Sequence, residues 1–376
     1  MIVSFLVFFL SMSLRASCQT VALSPPPVST NVFITTFPLT DASRVDPFAP
    51  GCNQPRRLML SLFQPTNCTK AHGISYMPPV TAAFHDAMFS PYGIPNGTFE
   101  AFRLQTCPLP PKHTDFPVLL FSTGAGTSRL TYSVLCQWVA SMGFNVISID
   151  HTYDAPIVEF PDGTVIQGAN ITLPDDLPHV LSLRVADVMS VLNALSNSTT
   201  MEQLDIPSFN TKRVGIFGHS LGGATAANAM LIEPRLAGGL NMDGSVYGQA
   251  MNKTNKDPFT IFAAQEHNQS TDATWTAFWQ ELKGLKLQLQ VNNTKHGTFT
   301  DYPILASSIG INATVLSPIK ELIGTINGLR MMNILRRYVG GFFQETLESQ
   351  KVKLLEGPSL QFPEVAFVNM SSGRYA

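Results

Sequence analysis

The stretch Val214-Gly215-Ile216-Phe217-Gly218-His219-Ser220-Leu221-Gly222-Gly223 decides how this chain is read. Val214 to Phe217 is a short apolar run suited to a buried strand. Gly218 to Gly222 carries the pattern G-x-S-x-G, in which a serine sits on a sharp strand-to-helix turn with its hydroxyl exposed for attack. Ala224, Ala226, Ala227, Ala229, Met230 and Leu231 continue as a helix former. Small side chains near its start let such a helix approach a sheet directly after a tight turn. A glycine-rich surface turn could carry the same letters, but strand, turn and helix in this order favour a reactive serine.

The elements around this stretch set the fold class. Arg57 to Phe63, Val118 to Phe121, Val146 to Ile149, Thr260 to Ala263 and Leu285 to Val291 read as further strands. Thr131 to Met142 reads as a crossover helix with Val134, Leu135, Trp138 and Val139 on its apolar side. Asp175 to Leu195 contains another, repeating Leu181, Val185, Val188 and Leu192 and capped near Asp176. Alternating strands and helices predict an α/β fold with a mostly parallel central sheet and helices on both faces. With the serine turn in place, this is the α/β-hydrolase arrangement. Residues 318–347 form a second helical region, interrupted at Gly324, Gly328 and Gly340-Gly341, whose apolar residues suit core packing or, alternatively, a lid. The expected boundaries are 1–18 as a signal peptide, 19–50 as a Pro/Ser/Thr-rich extension, 51–354 as the hydrolase domain and 355–376 as a surface tail.

Composition narrows the classes. Hydrophobic residues make up 44% of the 376 and charged residues 13%, with net charge -2. No basic cluster offers the surface that nucleic-acid binding requires. The apolar run Ile2–Leu10, followed by small residues Ala16 and Cys18, suits a cleaved secretion signal. The missing positive charge before that run leaves an uncleaved anchor as the alternative. Without Cys18 four cysteines remain, Cys52, Cys68, Cys107 and Cys136; an oxidising compartment would favour disulfides. The expected pairs are Cys52–Cys68 and Cys107–Cys136, with Cys136 equally suited to being a buried thiol. Their spacing fits no metal knuckle. Nine acceptor patterns for N-glycosylation begin at Asn67, Asn96, Asn170, Asn197, Asn252, Asn268, Asn292, Asn312 and Asn369. Glycans would supply solubility that charges do not.

A serine nucleophile needs a base and an acid that orients it. His296 follows the Leu285-to-Val291 strand in a loop from which it can reach the turn. His219 adjoins the serine and suits packing or a supporting hydrogen bond. His267 comes too early to leave room for the last strand. Asp243, beyond a short apolar turn after the helix that follows the serine, and Glu266, at the end of the next strand, compete as the acid, with Asp150 and Asp301 weaker by position. The anion formed on attack needs preorganised donors. Leu221 N–H is one candidate. Ala125 N–H, in Ser122-Thr123-Gly124-Ala125-Gly126, is the second.

Phe121 to Gly126 and Gly218 to Gly223 together resemble the secreted platelet-activating-factor acetylhydrolase group of α/β-hydrolases, including fungal lipase-like relatives. Asp243, 23 residues beyond the serine, matches the acid position and His296 the base. Thr123 departs from the pattern, standing where the family commonly carries histidine. The resemblance covers residues 45 to 350 and favours Asp243 over Glu266. It implies no metal or cofactor and a phospholipid substrate with a short or oxidised sn-2 acyl group, with peripheral contact to a lipid surface. A general lipase, carboxylesterase or polyester hydrolase is the alternative. A secreted binding protein on a hydrolase scaffold is the reading outside enzymes.

Overall fold

Side-chain alternation along the central strands builds two cores, one on each face of a single sheet. In the computed structural model, which describes residues 20–28, 30–111, 115–311 and 317–371, nine strands form that sheet. They are β1 (Asn31–Val45), β2 (Pro55–Thr66), β3 (Val118–Ser122), β4 (Asn145–Asp150), β5 (Val214–His219), β6 (Leu236–Met242), β7 (Phe259–Ala264), β8 (Lys286–Val291) and β9 (Val365–Met370). Their spatial order is β9-β8-β7-β6-β5-β3-β4-β2-β1. Strands β3 to β8 pair in parallel, and β1, β2 and β9 add antiparallel edges. The fold is the mostly parallel α/β-hydrolase arrangement expected from the sequence.

The principal helices are α1 (Pro79–Phe89), α2 (Ser133–Ala140), α3 (Leu177–Ser196), α4 (Leu221–Ala229), α5 (Ala273–Glu281), α6 (Ser317–Ile323) and α7 (Gly328–Glu348). Leu119, Phe121 and Phe217 face one way and pack with α2 and α7 through Val134, Leu135, Trp138, Met331 and Leu335. Val118, Leu120, Val214 and Ile216 face the other way, toward Val188 and Leu192 of α3, Ala226 of α4 and Trp275 of α5. Both faces are covered, as a parallel sheet requires.

Several expectations are corrected. Residues 31–45, assigned to an extension, form edge strand β1, paired with β2 along most of its length. Its Thr and Ser residues mask the buried Val32, Phe37 and Leu39. Pro38 is tolerated because an edge strand has one unpaired side. The tail after 355 likewise contributes β9, whose Val365 is buried against β8. Pro358 and Pro363 precede that strand and leave its ladder intact. Gly340 and Gly341 do not interrupt α7, where Gly340 faces Met142 closely. Buried Met331, Met332, Ile334, Leu335, Val339 and Phe343 make α7 a core helix and exclude it as a lid. Asp176 does precede α3, but its carboxylate accepts from Thr172 N–H at 2.8 Å instead of capping the helix.

The disulfide is Cys68–Cys107; Cys52 is exposed and free, and Cys136 is a buried thiol within α2. Neither expected pair forms. Cys52 and Cys68 flank opposite ends of the 12-residue β2, roughly 40 Å of extended chain, whereas bridged Cα atoms lie about 4.4–6.8 Å apart. The signal-peptide segment 1–18 lies outside the described residues, as does Asn312. Among the described residues no helix is long and apolar enough to cross a membrane. Replacing Cys68 with Ser should lower unfolding free energy by about 2–4 kcal/mol. Cys52→Ser should change it by less than about 0.5 kcal/mol; urea denaturation of both variants measures the contrast.

Candidate active site

Strand β5 ends in the strained turn that the motif requires. Ser220 has φ 55 and ψ -125, and α4 begins at the next residue. A β-carbon on Gly222 would sit 2.0 Å from the Ser122 carbonyl oxygen, so only glycine lets the helix start this close to β3. Ser220 N–H donates to the Met242 carbonyl at 2.9 Å, tying the turn to the end of β6.

Asp243 follows β6 in a left-handed conformation, φ 57, and is buried. Its Oδ2 lies 2.7 Å from His296 Nδ1, and its Oδ1 accepts Ala264 N–H at 2.7 Å. The same Oδ1 lies 2.8 Å from His267 Nδ1. Burial alone would raise the carboxyl, but hydrogen bonds from His267 and His296 outweigh it and hold Asp243 at about 2. It is ionised throughout the physiological range. Glu266, the competing acid, points outward with a 76% exposed side chain. Asp150 is committed to Arg129, and Asp301 accepts the Val134 and Leu135 N–H groups at the start of α2 together with Tyr76 Oη. The structure thus brings Asp243 and His296 together and leaves the other three acids elsewhere.

His296 opens a short 3-10 turn after β8, with its side chain half exposed. Its ring lies 4.5 Å, centroid to centroid, from the ring of His219, the residue before Ser220. His219 is buried and supports this loop: Nε2 donates to the His296 carbonyl at 3.0 Å, and Nδ1 accepts from Tyr132 Oη at 2.8 Å. Those partners fix its neutral tautomer. Burial first, then the neighbouring His296, lowers it to about 3.

The Thr123–Gly126 loop faces the start of α4. Ala125 and Leu221 both line a cavity of about 530 Å³, with Phe84, Pro156, Ile171 and Val180 among its apolar walls and Gln167 among its polar ones. Arg184 of α3 clamps this loop. Its guanidinium donates to the Thr123 carbonyl at 2.5 Å and the Gly124 carbonyl at 3.0 Å, and pairs with Asp154 at 2.7 Å. Asp154 in turn accepts Gly126 N–H at 2.9 Å. Backbone on both sides of Ala125 is therefore held by one ion pair. Nothing in the spacing of residues 124, 154 and 184 announces that pair.

A second serine–histidine–aspartate line runs behind the loop: Ser122 Oγ to His151 Nε2 and His151 Nδ1 to Asp187 Oδ2, each 2.9 Å. All three are fully buried, and Asp187 is also bound by Arg56. No substrate can reach that serine; the line anchors the end of β3.

His219 has a stability consequence with a definite sign. Its folded-state value is depressed, so between about 6.5 and 3 the unfolded chain takes up a proton that the folded chain refuses. This contribution to stability is full above pH 6.5 and declines as pH falls. Urea denaturation between pH 7 and 4 should show a shallower decline for His219→Asn than for the parent chain.

The platelet-activating factor acetylhydrolase, isoform II family model matches residues 73–160 and 179–354. A protein of Arthroderma benhamiae named as a probable 1-alkyl-2-acetylglycerophosphocholine esterase is 33% identical over 360 residues, 88% of this chain and 89% of its own length. The platelet-activating factor acetylhydrolase of Cavia porcellus is 26% identical over 263 residues, 63% of this chain and 58% of its own. Among solved structures, a ferulic acid esterase from Streptomyces cinnamoneus superposes with a TM-score of 0.80 at 28% identity, covering 93% of this chain and 99% of that one. The chain belongs to the platelet-activating factor acetylhydrolase isoform II family and is a carboxylic ester hydrolase of the 1-alkyl-2-acetylglycerophosphocholine esterase type.

Proposed function

We propose that the protein cleaves the sn-2 ester of phospholipids carrying a short or oxidised acyl group, with Ser220 as nucleophile, His296 as base and Asp243 as the acid that orients it. The observation that carries the chemistry is the 2.7 Å contact between Asp243 and His296 Nδ1, made beside the strained Ser220 turn. It leaves Nε2 as the nitrogen that takes the serine proton. Ser220 Oγ bonds to the acyl carbon as its proton passes to His296, and the carbonyl oxygen becomes an anion facing the Leu221 and Ala125 amides. His296 then protonates the departing glycerol oxygen. Water, deprotonated by His296, attacks the acyl-serine; the acyl–Oγ bond breaks, His296 returns the proton to Ser220 Oγ, and the carboxylic acid leaves.

The substrate reading rests on the family and on the cavity, whose volume lies in the ~300–1,000 Å³ range of small-molecule sites. Exposed Val80 and Met88 on α1, the helix that supplies Phe84 to the cavity wall, support contact with a lipid surface. Secretion and glycosylation belong to the same proposal. They are supported by the Cys68–Cys107 bridge and by exposed asparagines at 67, 96, 170, 197, 252, 292 and 369, Asn268 being partly buried. The ferulic acid esterase likeness supports a second reading, a broader carboxylesterase.

Ser220→Ala should abolish burst acylation by an activated ester while leaving cooperative unfolding intact; an unchanged burst rejects the nucleophile. Asp243→Asn should cut turnover severely and Glu266→Gln little, and the reverse result reassigns the acid. Arg184→Lys should lower kcat roughly 10- to 100-fold, less than the ~100- to 1,000-fold of losing an anion-binding donor outright. Profiling hydrolysis across acyl length and head group separates the two substrate readings: equal turnover of aryl esters and short-acyl phospholipids would favour the broader one.

A further inference from the structure

Asp243 carries an imidazole on each oxygen, and the acid-orients-base mechanism uses only one of them. The second is His267, whose Nδ1 lies 2.8 Å from Asp243 Oδ1 and whose Nε2 lies 3.0 Å from Asp272 Oδ2. Both ring nitrogens thus meet carboxylates, which accept hydrogen bonds and cannot donate them when ionised. A neutral imidazole has one N–H and would leave its lone pair against a carboxylate; the imidazolium satisfies both. The ring also stacks on Trp275 at 4.0 Å between centroids, a face that favours a cation.

Its surroundings are built to hold that arrangement. Asp272 caps α5 through Thr274 N–H and accepts Ser245 Oγ at 2.6 Å. Trp275 Nε1 donates to the Gly244 carbonyl at 2.7 Å, fixing the ring beneath His267 and the residue after Asp243 together. The charged and titratable groups around His267 are Asp243 after β6, Asp272 at the start of α5 and, across Asp243, His296 after β8, with His219 beyond it. The exposed Glu266–Lys295 pair, 4.0 Å apart, flanks the site on neighbouring loops. Burial works against charge on His267, but the two carboxylates outweigh it and raise the group above the ordinary imidazole value.

We propose that His267 is a positioning residue of the ester-cleaving centre, a cation held between two carboxylates that shares the Asp243 charge with His296 and so sets how strongly Asp243 acts on that base. The physical reason is a three-charge balance. Asp243 favours a proton on His296, and a cation on its other oxygen weakens that preference. Without the cation, the charges of Asp243 and Asp272 would act on His296 uncompensated. The effect fades as pH rises through the raised His267 value and the ring becomes neutral.

The proposal rests on Asp243 and His296 being the acid and base. The test is the pH dependence of kcat/KM from pH 4.5 to 9 with a soluble short-acyl ester. His267→Asn keeps an amide N–H near the place of Nδ1 and removes the charge. Its acid limb should move up by about half a unit or more relative to the parent. Adding Asp272→Asn removes the unbalanced carboxylate and should return the limb toward its parent position. A role in shape alone predicts a fall in kcat with no such reversal. An unmoved limb in His267→Asn, or a double variant displaced further upward, overturns the proposal. Asp243→Asn separates the two possible failures. If it is nearly inactive while the His267→Asn limb stays put, the proposal about His267 fails alone; if it retains full turnover, the underlying acid assignment fails.

Discussion

The close approach of α4 to the end of β3 is the constraint on which the site depends. A β-carbon at Gly222 would lie 2.0 Å from the Ser122 carbonyl, and one at Gly218 would lie 2.3 Å from the Gly222 backbone. Two glycines therefore permit a turn in which Ser220 adopts φ 55 and Leu221 becomes the first residue of α4. The same approach sets the Leu221 amide opposite the Thr123–Gly126 loop, on the wall of one cavity. The strain of a serine in that region, of order 1–3 kcal/mol, persists only where surrounding structure over-determines it. Here Ser220 N–H is held by Met242, and α4 is buried along its whole length.

Around that turn the protein spends buried charge on position. Arg184 and Asp154 hold the loop carrying Ala125; Arg56, Asp187 and His151 hold Ser122 behind it; Asp301 holds the start of α2. Buried ion pairs contribute little net stability against apolar replacements, but losing one partner leaves an uncompensated charge. Their value at this place is geometric: they fix the backbone on both sides of Ala125 and the end of β3. Asp243 follows the same logic: three N–H donors surround it, one from Ala264 and one from each flanking imidazole.

Much of the fold was legible because its signals are local. Apolar runs of the right length marked β3, β4, β5, β7 and β8, and three- and four-residue spacing marked α3. Strand β6 was read as a short turn, since Gly238 and Gly239 break its apolar pattern. Those glycines are required because Thr346 of α7 and Met230 after α4 press against the strand there. The edges were illegible for another reason. Strands β1 and β9 bury only part of their surface, and their polar residues look like tail until a partner strand is supplied. Cysteine pairing failed similarly, because proximity in sequence across a 12-residue strand is distance in space.

The sequence by itself determined the serine turn, the parallel-sheet class and the family resemblance, all of which rest on residue type at short spacing. The resemblance favoured Asp243 over Glu266, and tertiary structure shows the contact itself: Asp243 meets His296 while the Glu266 side chain turns outward. Tertiary structure alone decided that His267 shares that acid, that Arg184 and Asp154 grip the Ala125 loop, and that Cys68 reaches Cys107. Each of these is a contact between segments tens of residues apart, made when the sheet aligns strand ends that are not neighbours in the chain. Local chemistry chooses the elements; the packed sheet chooses which of their ends meet.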